Sequence, residues 1–296
     1  MELKLRRHLT IDRPGASGQR HLSAASGLVA VGSKLYVVGD DELGLAIFPI
    51  EGGAPGEMVR LLPGRLPRDP VLRKAMKPDF EVLLRLPDGE DGRRSVLLAI
   101  GSGSTDKRRR AAMIGLDPDG GVGAVRLLDM APLFQAIAGA VDEVNVEGAV
   151  VRGSQLLLFN RGNTSRPDNT VLAVELDRAL QGGVVDILSA TSLRLPSVEE
   201  VPLCVTDACA LAGGSIVLSA VAEDTADAYR DGRLAGSALC ILDEELNLVR
   251  IDGLSPLAKI EGVHAWRSER AIEVLAVSDA DDPTTAGCLF EGAISV

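Results

Sequence analysis

Residues 26–41, SGLVAVGSKLYVVGDD, read as a short strand, a glycine turn and a second apolar strand that comes back. Ser26 opens the stretch, and Gly32, six residues on, supplies the unhindered backbone that a hairpin turn needs. Four further stretches repeat the pattern: DFEVLLRLPDGEDGRRSVLLAIGSG from Asp79, EGAVVRGSQLLLFNRGN from Glu147, DACALAGGSIVLSAVAED from Asp207 and EGVHAWRSERAIEVLAVSDAD from Glu261. Gly153 and Gly213 keep the spacing of Gly32, and the second copy turns through PDGEDG at 87–92. The openings are separated by 53, 68, 60 and 54 residues, a period that means one supersecondary unit stacked along a line or around an axis.

Outward from each hairpin the chain supplies two more strands. A third apolar run follows as LGLAIFPI, AAMIGLD, TVLAVELD and ALCILDE. A fourth carries a recurrent arginine: VRLLPG at 59–64, VRLLDM at 125–130, LRLPSV at 193–198 and VRIDGL at 249–254. Four strands per unit is the make-up of a propeller blade. The last unit, 261–296, stops after its third strand, GCLFEGAI. Residues 2–12, where Leu3, Leu5, Leu9 and Ile11 alternate with polar residues, can supply the missing fourth and so close the ring without a free sheet edge. The expected fold is a single all-β domain over 1–296, a five-bladed β-propeller. The alternative is a sixth blade hidden in the 68-residue interval, which also holds the one substantial helix candidate, 131–144.

Composition suits that reading. Hydrophobic residues make up 46% and aromatics only 3%, so the core is built from Leu, Val, Ala and Ile, which suit tightly nested sheets. A net charge of −11 argues against a nucleic-acid partner. No run approaches the ~18 apolar residues of a membrane span, and the start MELKLRRHLTIDRP lacks the apolar stretch of a secretory signal. A cytoplasmic location and free thiols at Cys204, Cys209, Cys240 and Cys288 are therefore expected.

In a closed ring, the first residues of the five inner strands meet at one mouth of the channel. Ser26, Asp79, Glu147, Asp207 and Glu261 are thus expected to form one site, surrounded by the loop residues Asp40, Asp41, Ser102, Asn160, Arg161, Glu223, Asp279 and Asp281. Carboxylates so close need a counter-charge, and hard oxygen donors in a ring favour calcium. The competing reading is that these acids cap strand ends by accepting backbone N–H bonds.

SGLVAVGSKLYVVGDD, VEGAVVRGSQLLLFNRGN and AKIEGVHAW resemble, in chain order, strands of the soluble calcium-activated nucleotidases (apyrases). The resemblance implies a five-bladed propeller with a calcium ion in its central tunnel, each blade giving one serine or glutamate oxygen at the start of its inner strand. It carries metal-ligand roles to Ser26, Glu147 and Glu261, and to Asp79 and Asp207 across a difference of residue type. The family's Gly-Lys-Glu-Trp loop is replaced by GSGSTDKRRR at 101–110, and its paired arginines are reduced to Arg161. The Glu-Gly strand openings are also similar to those of phytase-like and lactonase-like propellers.

Two functions follow as expectations. One is a calcium-dependent hydrolase of phosphate or other ester bonds, with Arg161 and Lys107 stabilising negative charge, Asn160 and Asp41 contacting substrate, and His264 as a candidate base. The other is a non-catalytic propeller with a structural ion whose mouth binds a small molecule or a protein. GSGSTDKRRR gathers hydroxyls and cations but lacks the order of a P-loop, and no GxSxG elbow is present. Trp266 and Tyr36 are expected to pack between blades.

Overall fold

A computed structural model describes residues 1–87, 95–226 and 232–295. Residues 88–92 of the expected PDGEDG turn lie outside them. Five antiparallel sheets take their strands in chain order from the axis outward, apart from the outer strand of the last. The inner strands are Ala25–Val31, Phe80–Arg85, Val146–Arg152, Val201–Ala210 and Lys259–Arg267. Each touches the next and the fifth touches the first, which closes the ring. The last blade is Lys259–Arg267, Ala271–Asp279, Cys288–Ser295 and, as its outer strand, Lys4–His8 from the N-terminus. Leu5 pairs with Phe290 and His8 with Cys288, so the two chain ends share one blade, through Lys4–His8 rather than the whole of the expected 2–12.

There are five blades and no sixth among the described residues. The long second interval is occupied by helix α2, Ala131–Ala138, whose Leu133, Phe134 and Ile137 are buried in the core between blades 2 and 3. It is shorter than the predicted 131–144, and two further short helices, α1 at Pro70–Met76 and α3 at Leu176–Gln181, carry too little apolar periodicity to read from sequence. Blade 4 gains a two-residue strand, Ser197–Val198, on its inner side.

The hairpin glycines behave as their spacing requires. Gly32 and Gly153 both sit at φ +59°, each first in a two-residue turn between Val31–Lys34 and Arg152–Gln155 pairs. The cores are Leu, Val, Ile and Ala wedged between neighbouring sheets. Tyr36 is fully buried, with its hydroxyl donating to Gly120 O at 2.8 Å, a link from blade 1 to blade 2. Trp266 corrects the expectation of a packed residue: it is 43% exposed. The four cysteines are free, and no described helix is long and apolar enough to cross a membrane.

Candidate metal centre

Every inner strand carries one β-bulge at the same level. Pairing jumps across Ser26, between Ala25–Gly39 and Gly27–Val38. It jumps likewise across Glu81, Glu147, Thr206 and Glu261. A bulge leaves one residue out of the ladder and re-aims its side chain. Here it does so five times around a common axis. The backbone permits this because the next residue is often glycine. A Cβ on Gly27 would come within 2.9 Å of Leu83 N, and one on Gly148 within 2.7 Å of Ala208 N, so these glycines let adjacent inner strands approach.

The bulged set differs from the five expected ring residues at two positions. Glu81, not Asp79, is the blade 2 member, and Thr206, not Asp207, is the blade 4 member. Oxygens of Glu81, Glu147 and Glu261 all lie within 4.8 Å of one another, and the three residues are buried. Ser26 and Thr206 use their hydroxyl protons alike. Ser26 donates to Phe80 O, and Thr206 donates to Ile260 O at 2.7 Å, so each is tied to the peptide just before the next blade's bulged glutamate.

Asp207 is a latch instead. Its carboxylate accepts from Ala208 N at 2.7 Å and from Val263 N at 2.8 Å, joining the inner strands of blades 4 and 5 as the capping reading describes. Burial pushes its carboxyl well above the usual range, and Glu147 and Glu261 reinforce this against the two amide bonds. Asp79 stands just before its strand at φ +57°. Lys77 Nζ at 2.9 Å, Arg108 Nη1 at 2.8 Å and the Ser102 hydroxyl converge on it. Burial opposes its ionisation, but the two cations outweigh that and hold its carboxyl below the usual range.

Around the ring lies a well of about 80 Å³, lined among the described residues by seven carboxylates (Asp40, Asp79, Glu81, Glu147, Glu223, Glu261, Asp279) and five cations (Lys74, Lys77, Arg108, Arg161, Lys259). Arg161 reaches Glu223 at 2.6 Å, Glu147 at 3.5 Å and Glu261 at 3.9 Å. Lys259 reaches Asp281 at 2.8 Å and Glu261 at 3.5 Å. The negative side stays in excess, and its effect is on the ring. Burial pushes Glu147 up to about 8, with Glu261 and Asp79 adding to the push against Arg161. Burial also raises Glu81 well above the carboxylate range, with Glu147, Asp79 and Asp40 reinforcing. Glu261 is raised as well, chiefly by burial and against the pull of Lys259 and Arg161. Two oxygens in this crowd, Glu147 Oε2 and Glu261 Oε1, are buried with no hydrogen-bond partner. Glu147 Oε1, by contrast, accepts from Asn145 Nδ2 at 2.6 Å.

The remaining expected site residues divide. Arg161 is in the well. Asn160 fixes the Arg161 loop, accepting from Asn145 N at 2.8 Å and donating to Glu143 O at 3.0 Å. Asp41 pairs with Arg73 at 3.3 Å in a neighbouring cleft, where burial, Asp40 and Glu42 push it up to about 7. Lys107 is exposed, and its neighbour Arg108 is the cation that turns in. His264 lies on the apolar side of the channel, beside Leu28, Val150 and Val263, where burial lowers it to about 4 and so leaves it neutral. Sequence reasoning passed over Glu81, Thr206, Lys77, Arg108 and Lys259. One signal was available for the first two: an apolar residue precedes each bulged position (Ala25, Phe80, Val146, Val205, Ile260), whereas Pro78 and Thr206 precede Asp79 and Asp207.

The chain belongs to the family described as "Family of unknown function (DUF6929)", which matches residues 21–294. No curated protein matches it in sequence. Among solved structures it is similar to an exo-β-1,3-galactanase of Phanerochaete chrysosporium, at 9% identity and TM-score 0.50, over 100% of this chain and 67% of that one. It is also similar to the glutaminyl cyclase of Myxococcus xanthus, at 12% identity and TM-score 0.48, over 100% and 97%. A GH43_1 enzyme of Xanthomonas citri with bound xylose is similar at 9% identity and TM-score 0.49, over 92% and 87%. At 9% identity the likeness to the galactanase bears on the fold alone, and fold does not fix an activity.

Proposed function

We propose that this protein binds a divalent cation, calcium by its donor set, in the central channel through Glu81, Glu147 and Glu261, with Ser26 and Thr206 completing the ring. The observation that carries this is a triad of crowded buried glutamates in which Glu147 Oε2 has no partner and Glu261 Oε1 has no hydrogen bond, only the longer ionic contacts of Lys259 at 3.5 Å and Arg161 at 3.9 Å. A buried carboxylate oxygen without a partner is costly, and three glutamates this close resist ionisation together. A divalent cation relieves both. The donors are all hard oxygens, with neither imidazole nor thiol among them, which suits calcium and disfavours zinc or copper. Reading the ring as Ser, Glu, Glu, Thr, Glu also brings it closer to the serine-or-glutamate rule of the apyrase resemblance than aspartates at 79 and 207 do.

The ion's first role in this reading is to lock the ring, because one ligand from each blade ties all five inner strands at their bulges. The well of about 80 Å³ takes an ion and a few waters but no sugar ring or base. Hydrolysis of a phosphate or other ester is the second reading. It is favoured by a cleft of about 360 Å³ that shares Asp40, Lys74, Lys77 and Asp279 with the well and could seat a small molecule. A divalent cation there would polarise a scissile oxygen and acidify its water, while Arg161 and Lys259 hold the carboxylates around it in place. Calcium titration by calorimetry tests the first reading: saturable binding that Glu147→Gln removes is expected, and no heat above a chelated control refutes it. Calcium-dependent turnover of nucleoside diphosphates, phytate or lactones tests the second, and its absence in calcium-loaded protein leaves the ion structural.

A further inference from the structure

A second group of carboxylates adjoins the ring. Oxygens of Asp40, Asp79 and Glu81 also lie within 4.8 Å of one another, and Glu81 belongs to both groups. This group already holds a positive charge from the chain itself. Lys77 Nζ donates to Asp40 and to Asp79 Oδ1, the latter at 2.9 Å. Asp79 divides its two oxygens, with Oδ2 accepting from Arg108 Nη1 at 2.8 Å and from the Ser102 hydroxyl, which leaves Oδ1 to the ammonium. The side chains of Lys77 and Asp79 are only 11% and 5% exposed. The Lys77 backbone is fixed too, because its N–H closes helix α1 on Arg73 O at 2.8 Å.

Resting on the proposed channel ion, we infer that Lys77 is the residue that keeps this centre mononuclear. Its ammonium stands where Asp40, Asp79 and Glu81 would otherwise hold a second divalent cation, with Glu81 as the shared carboxylate. Three hard oxygens at this spacing are a calcium-type donor set, and a carboxylate shared between adjacent cation positions is how two-metal sites are joined. An ammonium satisfies the Asp40 and Asp79 oxygens with one unit of charge, three donors and no dependence on the ion supply. Burial opposes its charge, yet Asp40, Asp79 and Glu81 together hold the Lys77 ammonium protonated far into the alkaline range. The chain thereby sets a resident cation beside an exchangeable one. Asp40 and Asp79 stay compensated whether or not calcium is present.

The test is calcium stoichiometry by native mass spectrometry, with equilibrium dialysis in parallel, on the full chain and on Lys77→Met, Lys77→Ser and Lys77→Arg. About one calcium per parent chain, about two for Lys77→Met and Lys77→Ser, and about one for Lys77→Arg is expected. The extra equivalent should vanish again when Asp40→Asn is added to Lys77→Met. A Lys77→Met or Lys77→Ser protein that binds no more calcium than the parent overturns the inference, whatever the parent binds. A parent that binds none overturns the channel ion instead, so the two failures are distinguishable. Should one neutral variant not fold, circular dichroism identifies it and the other gives the same comparison. If neither folds in chelator, the count is made on the calcium-refolded variants: about two equivalents supports the second site, and one, or failure to fold at millimolar calcium, overturns it.

Discussion

Replacing Glu147 by glutamine should make the ion-free protein more stable, although the substitution strikes the middle of the candidate centre. Burial holds the Glu147 carboxyl at about 8, against an ordinary 4.5. A carboxyl raised in the folded state contributes stability that is full below pH ~4.5 and lost as the pH climbs through about 8. At pH 7 the unfolded chain has released the proton and the folded one has not, which costs on the order of 3 kcal/mol. Glutamine removes that cost. Its carbonyl oxygen can keep the Asn145 bond, and Arg161 retains Glu223 at 2.6 Å, so losing the 3.5 Å approach to position 147 leaves no bare buried cation. The net gain expected is about 1–3 kcal/mol at pH 7, or roughly 2–5 °C in Tm for a chain of 296 residues.

Thermal melts of parent and Glu147→Gln in chelator, run at pH 5 and pH 8, measure this. The two should melt within about 1–2 °C of each other at pH 5 and separate further at pH 8 with the variant higher. Calcium should reverse the order, since the parent gains about 4 kcal/mol at a thousandfold excess over Kd and the variant gains little. A variant that is the less stable protein at pH 8 in chelator would refute the reasoning, as would a gap that does not grow with pH.

Asp207→Ala should leave the buried N–H groups of Ala208 and Val263 without acceptors and lower stability by about 2–4 kcal/mol, while the calcium-induced rise in Tm persists. Loss of the calcium response in that variant would return Asp207 to the ring. Gly148→Ala should cost about 1–3 kcal/mol, because its Cβ would press within 2.7 Å of Ala208 N. A urea midpoint unchanged from the parent would show that the inner strands do not need this approach.

The architecture was legible because it rests on features that sequence displays directly: period, turn glycines and alternation. Gly32 and Gly153 marked equivalent turns, and Leu3, Leu5 and Ile11 marked a strand without a partner in its own half of the chain. The ring was legible only to within a residue or two. Ser26, Glu147 and Glu261 sit at bulges as well as at apparent strand openings, so counting from the opening finds them. In blade 2 the opening acid, Asp79, belongs to the mouth loop, and in blade 4 Asp207 takes the place that glycine holds after the bulge in blades 1, 3 and 5. The only mark of these bulges is an apolar residue just before them, which strands carry at many other positions, and so Glu81 and Thr206 do not stand out in the sequence. The cations escaped for another reason. Lys77 caps helix α1, Arg108 ends a short 3-10 turn and Lys259 opens its inner strand, and no periodicity marks which basic residue turns inward, as Lys107 and Arg108 illustrate.

The central claim is an ion held at five bulges, and the most direct measurement is a calcium-soaked crystal structure with anomalous data. The account predicts one strong peak on the channel axis, about 2.3–2.6 Å from oxygens of Glu81, Glu147 and Glu261. Clear density for those three side chains with no peak between them at millimolar calcium, or a peak ligated by Asp79 and Asp207 instead, would contradict it.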